Sequence, residues 1–409
     1  MASLTLDQYD RQDHQFFRLY GPSFHRDPAL MYRGMRSKFG NVVPVLIEGD
    51  LPAWLVLGYR EIVYVTSRSD LFGRDSRRWN RWSQVPANWP VRPVIEYMPS
   101  VYYAEGVEHS RRAVAVHDVL ADVDQFKLRD ECERIADRLI DSFAGAGKAD
   151  LIAQYATQVP LLVDAFLFGL TTVETEGLVR DANAMVSGAI DAEDARQRLR
   201  RLMAACLQRG RDRPGSDIPS RLVAHAAQLT DEQMVDDLGV ILGAGQLNIA
   251  MWIGNALRLM LVDDRFSVGM MGGRRSAGQA LNEILWEDTP TQNFMARWTT
   301  RAVELDGQHL QTGDMVILGL AAANGDPFIR AAGTHVATGN RAQLSFGYGE
   351  HRCPLPAQEI AEIAAQTAIE VLLDRLPDLT LGVDDDALEW LPSPWLRGLT
   401  SLPVLFSPA

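Results

Sequence analysis

Cysteine is scarce in this chain. There are three in 409 residues, Cys132, Cys206 and Cys353, with no paired spacing. That excludes a disulfide framework and suits a reducing compartment, so a cytoplasmic location is expected. Basic residues are outnumbered: 40 Lys and Arg stand against 53 Asp and Glu, for a net charge of −13. With no basic tract to override this balance, nucleic acid is not an expected partner. No Ser/Gly-rich linker, charge block, low-complexity run or internal repeat divides the chain. A single domain over 1–409 is therefore expected, although the length alone would allow two or three. Long apolar runs are also rare. Met1 to Phe17 is polar and charged and has no signal-peptide core. Leu238 to Leu257 carries no charge, but Gln246, Asn248 and Asn255 interrupt it. It reads as a buried central helix and not as a membrane span.

What is present is mainly helical patterning. Asp27 suits an N-cap and Pro28 the first turn of a helix reaching Phe39. Val42 to Ile47 and Ala53 to Leu57 read as a strand pair turning at Glu48-Gly49-Asp50, followed by a helix over Tyr59 to Val65. Trp79 to Tyr103 is rich in proline and aromatics and reads as loop. Helical signals dominate Glu105 to Val262, ending in a long helix that starts at Asp231. Gly269 to Ser276 reads as a glycine-rich loop, and Leu281 to Glu287 as a helix ended by Pro290. Strands are expected at Val303 to Leu305 and Asp314 to Leu320, and a last long helix over Pro356 to Leu376. The fold class is thus mainly α with small β-sheets, one near each end of the chain.

The most informative stretch is Phe346-Gly347-Tyr348-Gly349-Glu350-His351-Arg352-Cys353. It puts a cysteine just before a helix, where the dipole and unpaired N–H groups favour a thiolate. Gly347 and Gly349 allow the backbone to approach a flat object, Phe346 can pack against it, and His351 and Arg352 offer donors or positive charge. Cys132 and Cys206 lack such a context and read as inert buried thiols. The loop resembles the cysteine-ligand loop of the cytochrome P450 family. In place of the family's Gly two residues after the cysteine stands Leu355, between Pro354 and Pro356.

The resemblance covers nearly the whole chain and implies the cytochrome P450 fold, a triangular helical prism around haem. It implies haem b with Cys353 as axial ligand to iron, O2 as co-substrate, and electrons from NAD(P)H by way of a ferredoxin and a ferredoxin reductase. Arg297, in Arg297-Trp298-Thr299-Thr300, matches the family's propionate-binding Arg, and His109 its propionate-binding His. With His351 they make the expected propionate set. The Arg usual four residues after His109 is Ala113 here, and Arg112 is offset by about 100° around a helix. Ala321-Ala322-Ala323-Asn324 and Asp326-Pro327 match a stretch read as architecture.

Two departures bear on chemistry. Ala244-Gly245-Gln246-Leu247-Asn248 aligns with the central-helix motif of the family, but Leu247 and Asn248 stand where an acid and an alcohol help deliver protons. Asn248 can hydrogen-bond dioxygen or water, but it is a poor acid. Ala244, Gly245, Gln246 and Asn248 are the candidate catalytic positions, with satisfied core amides as the competing reading of Gln246 and Asn248. Glu283-Ile284-Leu285-Trp286 departs from Glu-x-x-Arg, as in a small actinobacterial subset. Glu283 is then expected to find another Arg or to be partly solvated, because an unpaired buried charge is costly.

On the substrate side, Trp82 and Trp89 in the aromatic loop, with Ile241 and Leu242 on the central helix, are candidate pocket residues for a flat or aromatic natural-product intermediate. A related group that couples cyclic dipeptides suggests oxidative C–C or C–N coupling as an alternative to hydroxylation. An acidic ferredoxin would need a basic patch on this acidic chain, with Arg111, Arg112 and Arg352 as candidates. The altered motifs keep a second class open, a degenerate relative serving as a docking or scaffold protein.

Overall fold

The Asp27 carboxylate accepts a hydrogen bond from the N–H of Leu30 at 2.8 Å, and Pro28 follows at the first helical position; together they start α1 (Pro28–Phe39). The computed structural model describes residues 6, 16–86, 89–187, 192–263, 277–330 and 339–408. The glycine-rich stretch Gly269 to Ser276 lies outside these. Among the described residues the longer helices continue with α2 (Tyr59–Ser67), α3 (Gly106–Ala121), α4 (Gln125–Asp141), α5 (Gln158–Leu167), α6 (Thr172–Ser187), α7 (Ala192–Asp212), α8 (Ile218–Ala224), α9 (Asp231–Val262), α10 (Ala277–Glu287) and α11 (Leu355–Arg375).

The strands are β1 (Phe17–Arg18), β2 (Val42–Ile47), β3 (Leu51–Val56), β4 (Phe72–Gly73), β5 (Lys148–Asp150), β6 (Phe294–Thr299), β7 (Val303–Leu305), β8 (Gln308–Leu310), β9 (Met315–Leu318), β10 (Thr380–Leu381) and β11 (Pro403–Leu405). They form a six-stranded sheet in the order β1-β2-β3-β9-β6-β4, a three-stranded sheet β10-β11-β5 and the hairpin β7-β8. The hairpin turns at Asp306 and Gly307, both at positive φ. The six-stranded sheet corrects the expectation of one small sheet near each end. β3 pairs in parallel with β9, Trp54 opposite Val316, so strands from both ends of the chain share one sheet. Local periodicity identifies strands but carries no information about partners so far apart in sequence.

The helices share one core. α9 starts with a capping box: the Thr230 side chain accepts from the N–H of Gln233, while the Gln233 side chain accepts from the N–H of Thr230. The helix is long and apolar enough to cross a membrane, yet more than half of its apolar window is packed inside the protein. Leu238, Trp252, Ile253 and Leu257 enter the same cluster as Cys132 and Ile135 of α4 and Ala364, Ala365 and Ala368 of α11. The small residues on α11 let α4 approach closely. Burial pushes the Cys132 thiol up to about 12 and the Cys206 thiol up to about 11, which fits inert core cysteines.

Candidate functional site

The cysteine loop is shaped by its glycines. Gly347 and Gly349 have φ of 74° and 80°, in the left-handed region, and a Cβ on Gly349 would lie 2.3 Å from the carbonyl oxygen of Thr66. Only glycine fits there. The N–H of Cys353 donates to the Phe346 carbonyl at 2.9 Å, which closes the loop on itself, and Gln358 of α11 donates to the Cys353 carbonyl at 2.7 Å. α11 begins two residues after the cysteine. Leu355 is half exposed on that first turn, and Pro356 is buried beneath it. Burial raises the Cys353 thiol to about 12, so it ionises there only beside a strong positive centre. Phe346 packs edge-on against Trp252 of α9, with ring centroids 6.0 Å apart.

A second set of bonds holds the loop from behind. Asn324, fully buried, donates to the Leu285 carbonyl at 2.9 Å and to Ser345 Oγ at 3.2 Å, and accepts from the N–H of Leu344 at 2.8 Å. Ser345 Oγ in turn donates to the Leu285 carbonyl and accepts from Thr289. Trp286 is buried, and its indole N–H donates to the Asn340 carbonyl at 3.0 Å. A neutral anchor therefore stands where the resemblance leads one to expect an Arg. Glu283 is half-buried, so solvent reaches it in part.

The expected propionate residues converge. The His109 and His351 rings lie 3.8 Å apart between centroids. His109 is 5% exposed. Arg297 is 3% exposed, and its Nη1 donates only to the Ala296 carbonyl, at 3.4 Å. Sequence reading missed a fourth member. Arg74, 1% exposed, also donates to Ala296, at 2.7 Å. Burial first, and then the charge of Arg74, push Arg297 well below the ordinary guanidinium value. Burial, Arg297, Arg74 and His109 act in the same direction on His351. A guanidinium does not surrender its proton in a protein, so this strain is relieved by an anion. The nearest acid is Glu350, 3.5 Å from His351 Nε2, and it is half exposed. Arg297, buried with no carboxylate partner among the described residues, fits a carboxylate of haem, with the His109 and His351 rings, held neutral by burial and the neighbouring arginines, as hydrogen-bonding groups beside it; Cys353 fits its iron.

The middle of α9 fits a flat group as well. Leu242 and Ile249 are buried, whereas Gly243 and Ala244 between them are exposed, and a Cβ on Gly243 would meet nothing within 4 Å. Gly245, Gln246 and Asn248 are half-buried along the same window. Asn248 Nδ2 donates to the Ala244 carbonyl at 2.7 Å, and the Thr291 hydroxyl donates to Asn248 Oδ1 at 2.7 Å. Thr291 carried no signal in the sequence.

Some expectations are corrected. Trp89 is 3% exposed; its indole donates to the Glu48 carbonyl and its ring lies against Trp79, so it anchors the loop and does not line a pocket. Trp82 donates to the Ser76 carbonyl and packs on Trp79 in the same way. Leu242 is buried in the main core with Ile241 packed against it, because it lies about 100° around the helix from Gly243. A cavity of about 450 Å³ is lined by Tyr97 and Tyr103 with Arg77, Glu105, Glu108 and Asp236, and none of the cysteine-loop residues or the small residues of α9 borders it. The basic patch is reduced as well. Arg112 is buried and grips Asp237 with two bonds, Nε at 2.9 Å and Nη2 at 2.7 Å, while Arg111 pairs with Glu108. Of the three arginines, Arg352 is the one left exposed.

The mainly helical fold thus presents a cysteine before a helix, a buried cluster of arginine and histidine side chains, and a small-residue window in a long helix. No family model matches the chain. It is 25% identical over 407 residues to the polyketide biosynthesis cytochrome P450 PksS of Bacillus subtilis, covering 96% of this chain and 98% of that protein. It is 26% identical over 396 residues to the cytochrome P450 monooxygenase PikC of Streptomyces venezuelae, covering 94% and 92%. Among solved structures, CYP154C4 from Streptomyces sp. ATCC 11861 superposes with a TM-score of 0.86 at 23% identity, covering 96% of this chain and 98% of that one. Over nearly its whole length the chain is thus similar to bacterial cytochrome P450 oxidoreductases, and it shares their fold.

Proposed function

We propose that this protein is a haem-thiolate oxidase acting on an aromatic natural-product intermediate, taking electrons from a ferredoxin, by hydroxylation or by oxidative coupling. The observation that carries the cofactor half is the buried cluster of Arg297 with the neutral rings of His109 and His351 beside the Cys353 loop. Haem with a thiolate ligand supplies reductive activation of dioxygen when bound. The residues of the chain set the conditions. Gly347 and Gly349 hold the Cys353 loop in its shape. Gly243 and Ala244 leave room for a flat group against α9. Asn248, fixed by Thr291 and Ala244, presents amide hydrogen-bonding groups to that space.

An amide neither gives nor takes a proton readily. With Leu247 beside it, α9 contributes no acid at this window, so protons come through water or substrate. Hydroxylation and oxidative coupling both consume those protons, and the resemblance to a coupling group is what favours coupling over oxygen insertion. Glu-x-x-Trp, shared with an actinobacterial subset, agrees with a role in secondary metabolism. A resembling group couples aromatic cyclic dipeptides, and such a molecule is the substrate class of this reading. The test is to titrate the ferric protein with aromatic and aliphatic cyclic dipeptides and then run turnover under labelled dioxygen. Aromatic members should shift the haem spectrum, and the product should carry no label. Label in the product would establish hydroxylation, and a response to neither series would remove the substrate class.

A further inference from the structure

Arg74 follows β4 and is almost completely enclosed. Its guanidinium carbon lies 3.8 Å from the Tyr102 ring centroid and 5.3 Å from that of Phe294. Nε donates to the Tyr102 carbonyl at 3.0 Å, and Nη1 donates to Met295 at 3.1 Å and Ala296 at 2.7 Å. Nη2 makes no hydrogen bond to the described residues, so two of the five N–H donors remain for another group. The neighbouring acid is already engaged. Glu105 accepts from the main-chain N–H of Arg74 and from both terminal nitrogens of Arg78. Arg74 and Arg297 donate to the same carbonyl, that of Ala296, so two guanidiniums lie side by side in the interior with no carboxylate paired to either among the described residues. Such an arrangement is unfavourable unless anions join it.

α3 cannot supply the second cation that the family resemblance expects. Ala113 stands at that position, and Arg112 is committed to Asp237. We propose that Arg74 is a second carboxylate-binding residue of the haem site, replacing the cation that α3 has lost. This rests on the haem-thiolate reading of Cys353. Three main-chain carbonyls fix the guanidinium plane before the cofactor arrives, so little side-chain freedom is lost on binding.

The test uses the full chain, freed of haem and reloaded with either haem or its dimethyl ester, and follows transfer of each to apomyoglobin. Arg74→Gln should speed release of haem by about tenfold, the loss of one charge-assisted bond, and leave release of the ester unchanged. Arg74→Lys should fall between. Faster release of both pigments from Arg74→Gln would show that Arg74 only props the main chain, and the proposal fails. No change with either would assign the guanidinium to a carboxylate on another ligand, such as a substrate, which also overturns it. Circular dichroism of the haem-free variants checks folding, and if Arg74→Gln does not fold, Arg74→Lys carries the same comparison. If the unsubstituted chain takes up neither pigment, the haem reading itself fails, a result distinct from failure of the inference.

Discussion

At the residue scale, the amide of Asn248 occupies the place of an alcohol, and its hydrogen bonds define what it can do. One N–H is spent on the Ala244 carbonyl and one oxygen lone pair on the Thr291 hydroxyl. One N–H stays available, and Thr291 fixes where it points. Thr291→Val should free the amide to rotate and raise the share of electrons lost as hydrogen peroxide several-fold, with substrate binding unchanged; peroxide yield per electron consumed checks it. Thr291→Ser, which keeps the hydroxyl, should restore the original ratio. The cysteine loop was legible from sequence because its determinants are local: glycines at fixed offsets, a cysteine and a following helix. Arg74 and Thr291 were not, since each matters through partners more than 40 residues away, Ala296 for one and Asn248 for the other. Arg112 was misread for the same reason, as nothing near it in sequence announces Asp237.

At the scale of elements, two ties set how the helices stand around the site. Arg112 of α3 and Asp237 of α9 form a buried pair, with side chains 3% and 0% exposed. Asp237→Asn leaves a buried guanidinium short of its counter-charge and should cost about 3–5 kcal/mol, read as a lower thermal midpoint. Asp181 of α6 accepts from Arg198 of α7 at 3.0 Å and from Arg180 at 2.9 Å. Burial alone would raise its carboxyl, but the bonds from Arg198 and Arg180 outweigh burial and hold it below the ordinary carboxylate range. Its folded value is thus lower than its unfolded one. The stability it contributes is present above the unfolded carboxylate value of about 4 and is lost as pH falls through the folded value. Asp181→Asn should flatten the acid limb of the stability curve and leave its neutral limb parallel to that of the unsubstituted chain. Behind the cysteine loop, Asn324→Leu removes three bonds from a fully buried position and should lower the unfolding midpoint by several degrees while loosening the thiolate spectrum.

At the scale of the molecule, the site sits where both ends of the chain meet. β3 and β9 join in one sheet, β6 of that sheet carries Arg297, the turn after β4 carries Arg74, and the loop before α11 brings His351 and Cys353. Removing a ligand that binds only this assembled state should lower the unfolding midpoint of the whole chain, not of one element. The mainly helical pattern and the strands β2, β3, β7 and β9 could be read from periodicity and caps, because those signals are local. The pairing of β3 with β9 could not, because it is written only in tertiary packing. The central claim is that Cys353 ligates haem iron as a thiolate, and its most direct measurement is the absorption spectrum of the reduced, carbon monoxide-bound protein. The account predicts the far red-shifted Soret band of thiolate ligation, lost in Cys353→Ser. A Soret band at the shorter wavelength of neutral ligation in intact, haem-loaded protein would contradict it.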